Sequence, residues 1–393
     1  MDLASVPGPG GNRARSLAFR GAVGLAAGAI LILTFLKLVD VGAVLQRLAH
    51  LNIGFALACG IPFLGAYVVR ALRWRCLLRP DRIPRRRIIG IYLIATFLNW
   101  LLPIRFGELA KSLLLRQSDG VPVSRSLATI SMDKAMDLLP AVCLLMLLPF
   151  AGLHLSRPLW VLLGSALTAV AFVAVVIILA AWRRDHAVAL LTRPVAAVLP
   201  KRLRGRVGPF IGQFVDTLIA LIRQPLLLLR AAGYTVVAVS LDALFCLLAF
   251  RAVDVAVPVV VVLYGYTFFN LAFILPTPPG QVGSNELIGL LIFSGMFGIS
   301  RVGVGAMFLF SHPWTAILMT CAGLVCLSAM GLNLRNTMRM TRTETSDKGP
   351  RAGTTGKHRS ERPRKTGRTD DGARDRSRGL SRPPADRIAA GPR

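Results

Sequence analysis

An all-α integral membrane protein of about eight transmembrane helices, two of them broken, is the fold class this sequence predicts. Three observations lead there. Hydrophobic residues make up 54% of the chain and charged residues only 17%, with a mean hydropathy of +0.59; soluble domains carry roughly a quarter charged residues. Basic residues gather in short clusters beside apolar runs, such as Arg70, Arg73, Arg75, Arg79, Arg82 and Arg85 to Arg87, as cytoplasmic flanks of membrane helices do. Finally, Asn99 to Leu109 and Asn270 to Leu287 both follow the order Asn, apolar run, Leu-Pro, Gly, Glu-Leu. Paired proline- and glycine-interrupted segments in the two halves of a membrane protein point to a transport site.

Taken in order, residues 1–16 are rich in Gly, Pro and Arg and read as a disordered N-terminus. Leu17 to Val39 is long enough to span and begins among Arg13, Arg15 and Arg20, which places the N-terminus in the cytoplasm. Its apolar run exceeds the core of a signal peptide, and no small-x-small cleavage site precedes Asp40. The nearly uncharged stretch 40–52 reads as an external loop, and Ile53 to Leu78 returns inward to the Arg73–Arg87 cluster. Ile88 to Leu102 covers only ~22 Å at 1.5 Å per residue, short of a ~30 Å hydrocarbon core. After the break at Pro103 to Glu108, Leu109 to Leu115 continues as a helix, so the two pieces form a re-entrant or kinked pair.

The second half repeats the theme. Ser126 to Phe150 and Pro158 to Trp182 span, and Arg183 to Arg206 mark a cytoplasmic loop. Within and after that loop, Val188 to Leu199 and Val207 to Ile222 read as amphipathic interfacial helices. Leu226 to Phe250 runs outward, Val255 to Leu275 runs inward to the second break, and Glu286 to Ile299 is another short piece. Val302 to Leu334 exits to the cytoplasm. The two breaks are thus approached from opposite faces, as an inverted repeat requires. Residues 17–334 form the transmembrane domain on this reading. The tail 335–393 holds 17 Lys/Arg against seven Asp/Glu, and its Gly, Pro, Ser and Thr content cannot build a core.

A net charge of +28 in a soluble protein would suggest nucleic acid. Here the charge sits in membrane flanks and the tail, without a basic face carrying aromatic readers, and anionic lipid headgroups are the expected partner. The six cysteines lie in or beside apolar runs without partners at zinc spacing, so no metal site or disulfide framework is expected.

The chemistry-bearing residues are charges at membrane depth. Arg105, Glu108 and Lys111 fall within seven positions, and each charge at a helix centre costs roughly 2.5–3.5 kcal/mol. They form either a self-neutralising structural pair or a headgroup site, with Arg105 and Lys111 meeting phosphate and Glu108 a cationic or hydroxyl group. Asp133 and Asp137 share one face of an apolar helix, with Lys134 placed to pair with Asp137. Asp242 is a further acid in an apolar run, serving as helix-helix glue or as pathway lining. In the second break Pro276, Pro278, Pro279, Gly280 and Gly283 unwind the backbone, and Asn285 and Glu286 open the next helix as an anion site or a simple cap. Asn99 and Asn270 lead into the two breaks.

Three segments together resemble a known family: Asn99 to Pro103 with Arg105, Gly107, Glu108 and Lys111; Asp133-Lys134 with Asp137; and Pro276 to Gly280 with Gly283 and Glu286. They are similar to the flippase-like domain of the lysylphosphatidylglycerol synthases, whose second helix Ala71-Leu72-Arg73-Trp74 also fits. The resemblance covers roughly residues 17–334. Asp133-Lys134 stands where the family usually has Glu-Arg, and Gln281-Val282 replaces a Gly-Leu. The resemblance implies translocation of aminoacylated or other anionic lipids between leaflets of a bacterial inner membrane. Only the basic tail follows residue 334, so aminoacylation by this chain is not expected.

The leading expectation is a lipid flippase without cofactor, moving an anionic, aminoacylated or polyprenyl-linked lipid. No Gly-x-x-x-x-Gly-Lys-Ser/Thr motif occurs, so energy must come from ion coupling or a lipid gradient, with Glu108, Asp137 and Glu286 as candidate proton carriers. A membrane glycosyltransferase using polyprenyl-phosphate sugars is the alternative, disfavoured because the 40–52 loop offers only Asp40. An accessory scaffold for a separate lipid-modifying synthase is the third reading.

Overall fold

The computed structural model describes residues 26–101, 107–147, 201–272 and 277–331, with isolated positions between 164 and 193. The chain divides into two units, Met1–Asp347 and Lys348–Arg393, and every described residue belongs to the first. Every regular element among the described residues is helical. The elements are α1 (Ala26–Leu38), α2 (Val41–Ala49), α3 (Ile53–Ala58), α4 (Gly60–Leu77), α5 (Arg85–Leu101) and α6 (Gly107–Asp119). They continue with α7 (Val123–Leu147), α8 (Lys201–Ile222), α9 (Pro225–Ala252), α10 (Val259–Ala272), α11 (Ser284–Gly289) and α12 (Arg301–Ala329).

Three segments are long and apolar enough to cross a membrane: Ile53–Leu77, Pro225–Ala252 and Arg301–Ala329. A fourth arises if α1 and α2, bent by 88° to each other, count as one span. Among the described residues, the expected eight crossings are therefore not all present as long apolar helices. The shortfall has physical causes in the described part. Helix α7 has the length but carries Asp133, Lys134 and Asp137, and α5 and α10 stop at the two breaks after 17 and 14 residues. The expected span Pro158 to Trp182 lies largely outside the described residues, as does most of Val188 to Leu199.

Residues 40–52, read from sequence as a loop, are mostly helix. Asp40 Oδ1 accepts from the Ala43 N–H at 3.1 Å and caps α2, and Asn52 Oδ1 accepts from Phe55 N–H at 3.2 Å and caps α3. Helix α2 is then tied to the end of α9, because Arg47 Nη1 donates to the carbonyls of Val253 and Asp254 at 3.0 Å each. A nearly uncharged stretch thus holds one capped helix, α2, and the cap of the next.

Helix α9 packs against α4 more extensively than any other described pair, and α12 against α5 comes next. At the α5–α12 crossing Gly323 lies against Phe97 and Gly90 against Met330, the small-residue contact that lets membrane helices approach closely. Helix α8 buries Val207, Ile211, Val215, Leu218 and Leu221, one stripe at helical spacing, and packs on α7.

Both breaks are held by close backbone approach. At the first, Asn99 Oδ1 accepts from the Gly107 N–H at 2.7 Å, and a Cβ at Gly107 would collide with the Ala95 carbonyl and the Asn99 side chain. The start of α6 thereby turns back onto the end of α5. At the second, Gly283 has φ +77° and lies against α1, where a Cβ would come within 2.6 Å of the Ile32 nitrogen and of Leu31. Gly283→Ala should therefore cost about 1–3 kcal/mol from overpacking, beyond its backbone strain. The check is thermal unfolding of the detergent-solubilised protein: Gly283→Ala should melt several degrees lower, whereas Gly120→Ala, where φ is also positive but nothing lies within 4 Å, should lose much less.

Candidate functional site

One cavity of about 840 Å³ is lined by both halves of the chain. From the first half come Arg70 and Arg73 of α4, Asn99 and Trp100 of α5, Glu108 and Lys111 of α6, and Lys134 and Asp137 of α7. From the second come Asp242 of α9, Asn270 of α10, Gln281 and Asn285 after the second break, and His312 of α12. Apolar helices thus surround an interior where charged and polar groups cluster among aromatic and aliphatic ones, and such an interior is where charged side chains in a membrane protein belong.

Arg73 anchors the interior. It is fully buried, and its Nε donates to Asp133 Oδ1 at 2.7 Å while one Nη2 contact reaches Asp137 Oδ1 at 2.7 Å. The same guanidinium donates to the Asp133 carbonyl and to Thr235 Oγ1, both at 3.0 Å. It therefore joins α4, α7 and α9. One turn earlier, Arg70 makes a fork-to-fork pair with Asp242 and approaches Asp137 at 3.6 Å. The i, i+3 spacing of Arg70 and Arg73 presents both guanidinia to one side of α4.

The chain of pairs continues through Asp137 to Lys134 at 3.7 Å, from Lys134 to Glu108 at 3.4 Å, and from Glu108 to Lys111 at 3.0 Å. Four cations face four carboxylates, so the connected network is formally neutral. Its members are not alike. The Lys111 ammonium lies 3.7 Å from the centre of the Tyr92 ring, and its side chain is 2% exposed. Lys134 has only its two longer ion contacts and a side chain 52% exposed.

The second break forms a separate constellation. Gly280 takes φ +66°, Gly283 takes φ +77°, and α11 opens with Ser284, Asn285 and Glu286 all buried. Glu286 Oε1 lies 2.6 Å from His312 Nδ1, and His312 Nε2 lies 2.9 Å from the Gly280 carbonyl oxygen. Trp100 covers the imidazole with ring centres 5.4 Å apart. Asn285 Oδ1 and Glu286 Oε2 are buried without a hydrogen-bond partner.

Of the residues singled out in the sequence, Asn99, Glu108, Lys111, Lys134, Asp137, Asn270 and Asn285 line the cavity. Asp133 lies behind Arg73 and Glu286 behind His312, while Gly280 and Gly283 shape the turn. Arg105 lies outside the described residues. One expectation changes. Arg70 and Arg73, counted in sequence with the cytoplasmic basic cluster, instead point into the bundle, because Asp133, Asp137 and Asp242 are there to receive them. At the opening of α11, a helix of six residues, the Glu286 carboxyl meets His312. Sequence reasoning missed His312, although an imidazole inside the apolar run Val302 to Leu334 was the signal.

Breaking the Arg73 node should be costly. Arg73→Met leaves Asp133 and part of Asp137 without their cation, a loss of about 3–5 kcal/mol for a buried pair. Melting in detergent should show it, and the double variant Arg73→Met/Asp133→Leu should recover part of the loss. A double variant as unstable as the single would contradict the pairing.

Comparison with protein families matches residues 21–323 to the model of the lysylphosphatidylglycerol synthase TM region. No curated protein and no solved structure matches the chain. With a continuous match over most of its length, this chain belongs to the lysylphosphatidylglycerol synthase transmembrane-region family.

Proposed function

We propose that the chain is a lipid flippase, carrying the headgroup of an anionic, aminoacylated or polyprenyl-linked lipid through the central cavity. One observation carries this reading: two broken segments, far apart in sequence, deliver Asn99 and Asn270 to the same cavity of about 840 Å³, which also gathers the charged network, inside apolar helices. Unwound backbone at membrane depth is tolerated where it is buried in protein or lines a water-filled path. The family suggests a function connected with membrane lipids.

On this reading the chain crosses a bacterial inner membrane about eight times as an inverted repeat, with both termini cytoplasmic. Residues 335–393 form a separate basic tail on that side. Lys134 receives the headgroup phosphate, since it is the most exposed cation of the network and none of its ion contacts is shorter than 3.4 Å. Glu108 and Asp137 receive an ammonium or hydroxyl, and the unpartnered Asn285 Oδ1 offers a further acceptor. Lys111, committed to Glu108 and Tyr92, holds the wall rather than the cargo.

The test is reconstitution into liposomes carrying a panel of labelled lipids on one leaflet. Wild-type protein should exchange at least one lipid class rapidly, and Lys134→Ala and Glu108→Ala should each slow that exchange by about tenfold or more. Gel filtration confirms that the variants remain folded. Equal exchange by wild type and both folded variants across the whole panel would sink the proposal.

A further inference from the structure

The Glu286–His312 contact imposes a proton count. His312 Nε2 lies 2.9 Å from the Gly280 carbonyl oxygen, which only accepts, so Nε2 must carry a hydrogen. That leaves Nδ1 facing Glu286 Oε1 at 2.6 Å. Were the imidazole neutral and the carboxyl ionised, two lone pairs would meet at hydrogen-bond distance. One further proton therefore sits between them, either as an imidazolium donating to a carboxylate or as a carboxylic acid donating to a neutral imidazole.

We propose that Glu286 and His312 form a proton-binding site whose occupancy drives the cargo cycle of the cavity. The inference rests on the flippase reading for the word cargo and on geometry alone for the proton. His312 lines the cavity and Glu286 lies behind it, so cavity water meets the imidazole first. A proton leaves hydronium, forms an N–H bond on the ring, and is shared with Oε1. On release that bond breaks and the proton returns to water, with no electron transferred.

Occupancy also changes how the second break is held. With the proton in place, His312 ties α12 to α11 through Glu286 and to the 279–281 turn through Gly280. Without it, Glu286 Oε1 and Nδ1 repel, and the bond that clamps α11 to α12 is lost. Gln281 and Asn285, which line the cavity, ride on the clamped segment. A local protonation event thus biases a two-state element next to the cargo path.

The surroundings leave the pair to itself. Among the described residues, no hydrogen bond or ion pair joins Glu286 or His312 to another titratable side chain. Helix α5 presents Trp100 over the imidazole, and its Tyr92 is engaged by Lys111. Helix α10 contributes Tyr266, which packs on Phe245 and Phe269. On α12, Ser311 directs its hydroxyl to Met307 and Thr315 to backbone carbonyls, and Arg301 sits exposed at the far start. Helix α1 crosses Gly283 at Gly28 to Ile32, with Lys37 beyond that crossing. Glu108, Lys111, Lys134, Asp137, Arg70, Arg73 and Asp242, which share the cavity, are paired with one another.

Two measurements on the full chain separate this proposal from the flippase reading. Infrared difference spectra between acid and alkaline pH, recorded in lipid nanodiscs, should show one carboxyl and one imidazole changing in a single step. That joint step should vanish in both Glu286→Gln and His312→Gln. In vesicles of phosphatidylethanolamine and phosphatidylglycerol, with labelled phosphatidylglycerol on one leaflet, an imposed pH gradient should change wild-type exchange by about fivefold or more. The two variants should lose that gradient response. A wild-type spectrum without the joint step, or with the step surviving in both variants, overturns the proton site. Exchange that proceeds but ignores the gradient overturns the coupling and leaves the flippase standing. Absence of exchange across the whole lipid panel with the joint step intact removes the flippase reading and the coupling while keeping the proton site.

Discussion

Arg73 is the constraint on which the first half of the cavity depends. A guanidinium cannot be left unpaired at zero exposure, and it has five donors in a rigid plane. Asp133 and Asp137 on α7 and Thr235 on α9 occupy those directions, so one side chain sets the mutual position of three helices. Such a buried pair adds little net stability compared with an apolar core, because both charges first lose their hydration. Its effect is on geometry: helices that slide or rotate leave a charge without its partner. The apolar packing of α4 on α9 supplies attraction, and the Arg73 and Arg70 pairs select the register.

The breaks are stabilised by different means, which explains why they are similar in sequence and unlike in structure. The first is closed by a side chain, with Asn99 accepting from Gly107 across the interruption. The second is closed by positive-φ glycines and by the His312 bond to the Gly280 carbonyl. Asn270, the counterpart of Asn99 in the motif, is exposed to the cavity. The same motif thus yields one capped break and one that depends on a histidine from a distant helix.

Much of this was legible in the sequence, and the failures share a cause. The premature ends of α5 and α10, the Lys134–Asp137 and Lys111–Glu108 spacings, and the unwinding at Gly280 and Gly283 are local features, and local periodicity or backbone chemistry reveals them. Arg70 and Arg73 were read as flank charges because a run of arginines follows them, and only the distant Asp242, Asp133 and Asp137 turn them inward. His312 escaped for the same reason, since its partners Glu286 and Gly280 are more than twenty residues away. Helix α2 was missed for a local reason: the capping role of Asp40 was overlooked in a stretch judged by its low charge.

The network around the cavity grades from fixed to exchangeable, and on the flippase reading that gradient sets how a charged headgroup would pass. At one end Arg73 is held by bonds of 2.7–3.0 Å in a closed environment. At the other, Lys134 is half exposed and holds Glu108 and Asp137 at 3.4 and 3.7 Å. A phosphate that takes Lys134 from Glu108 leaves Glu108 with Lys111, and Asp137 with Arg73 and Arg70. No carboxylate is stranded, so the exchange avoids the desolvation cost that makes an unpaired intramembrane charge prohibitive. The same swap at Arg73 would strand Asp133. On the flippase reading, redundant pairing at the cavity end and unique pairing at the scaffold end would let cargo bind and leave while the helices keep their register, a physical requirement of any carrier that moves a charged headgroup through apolar helices.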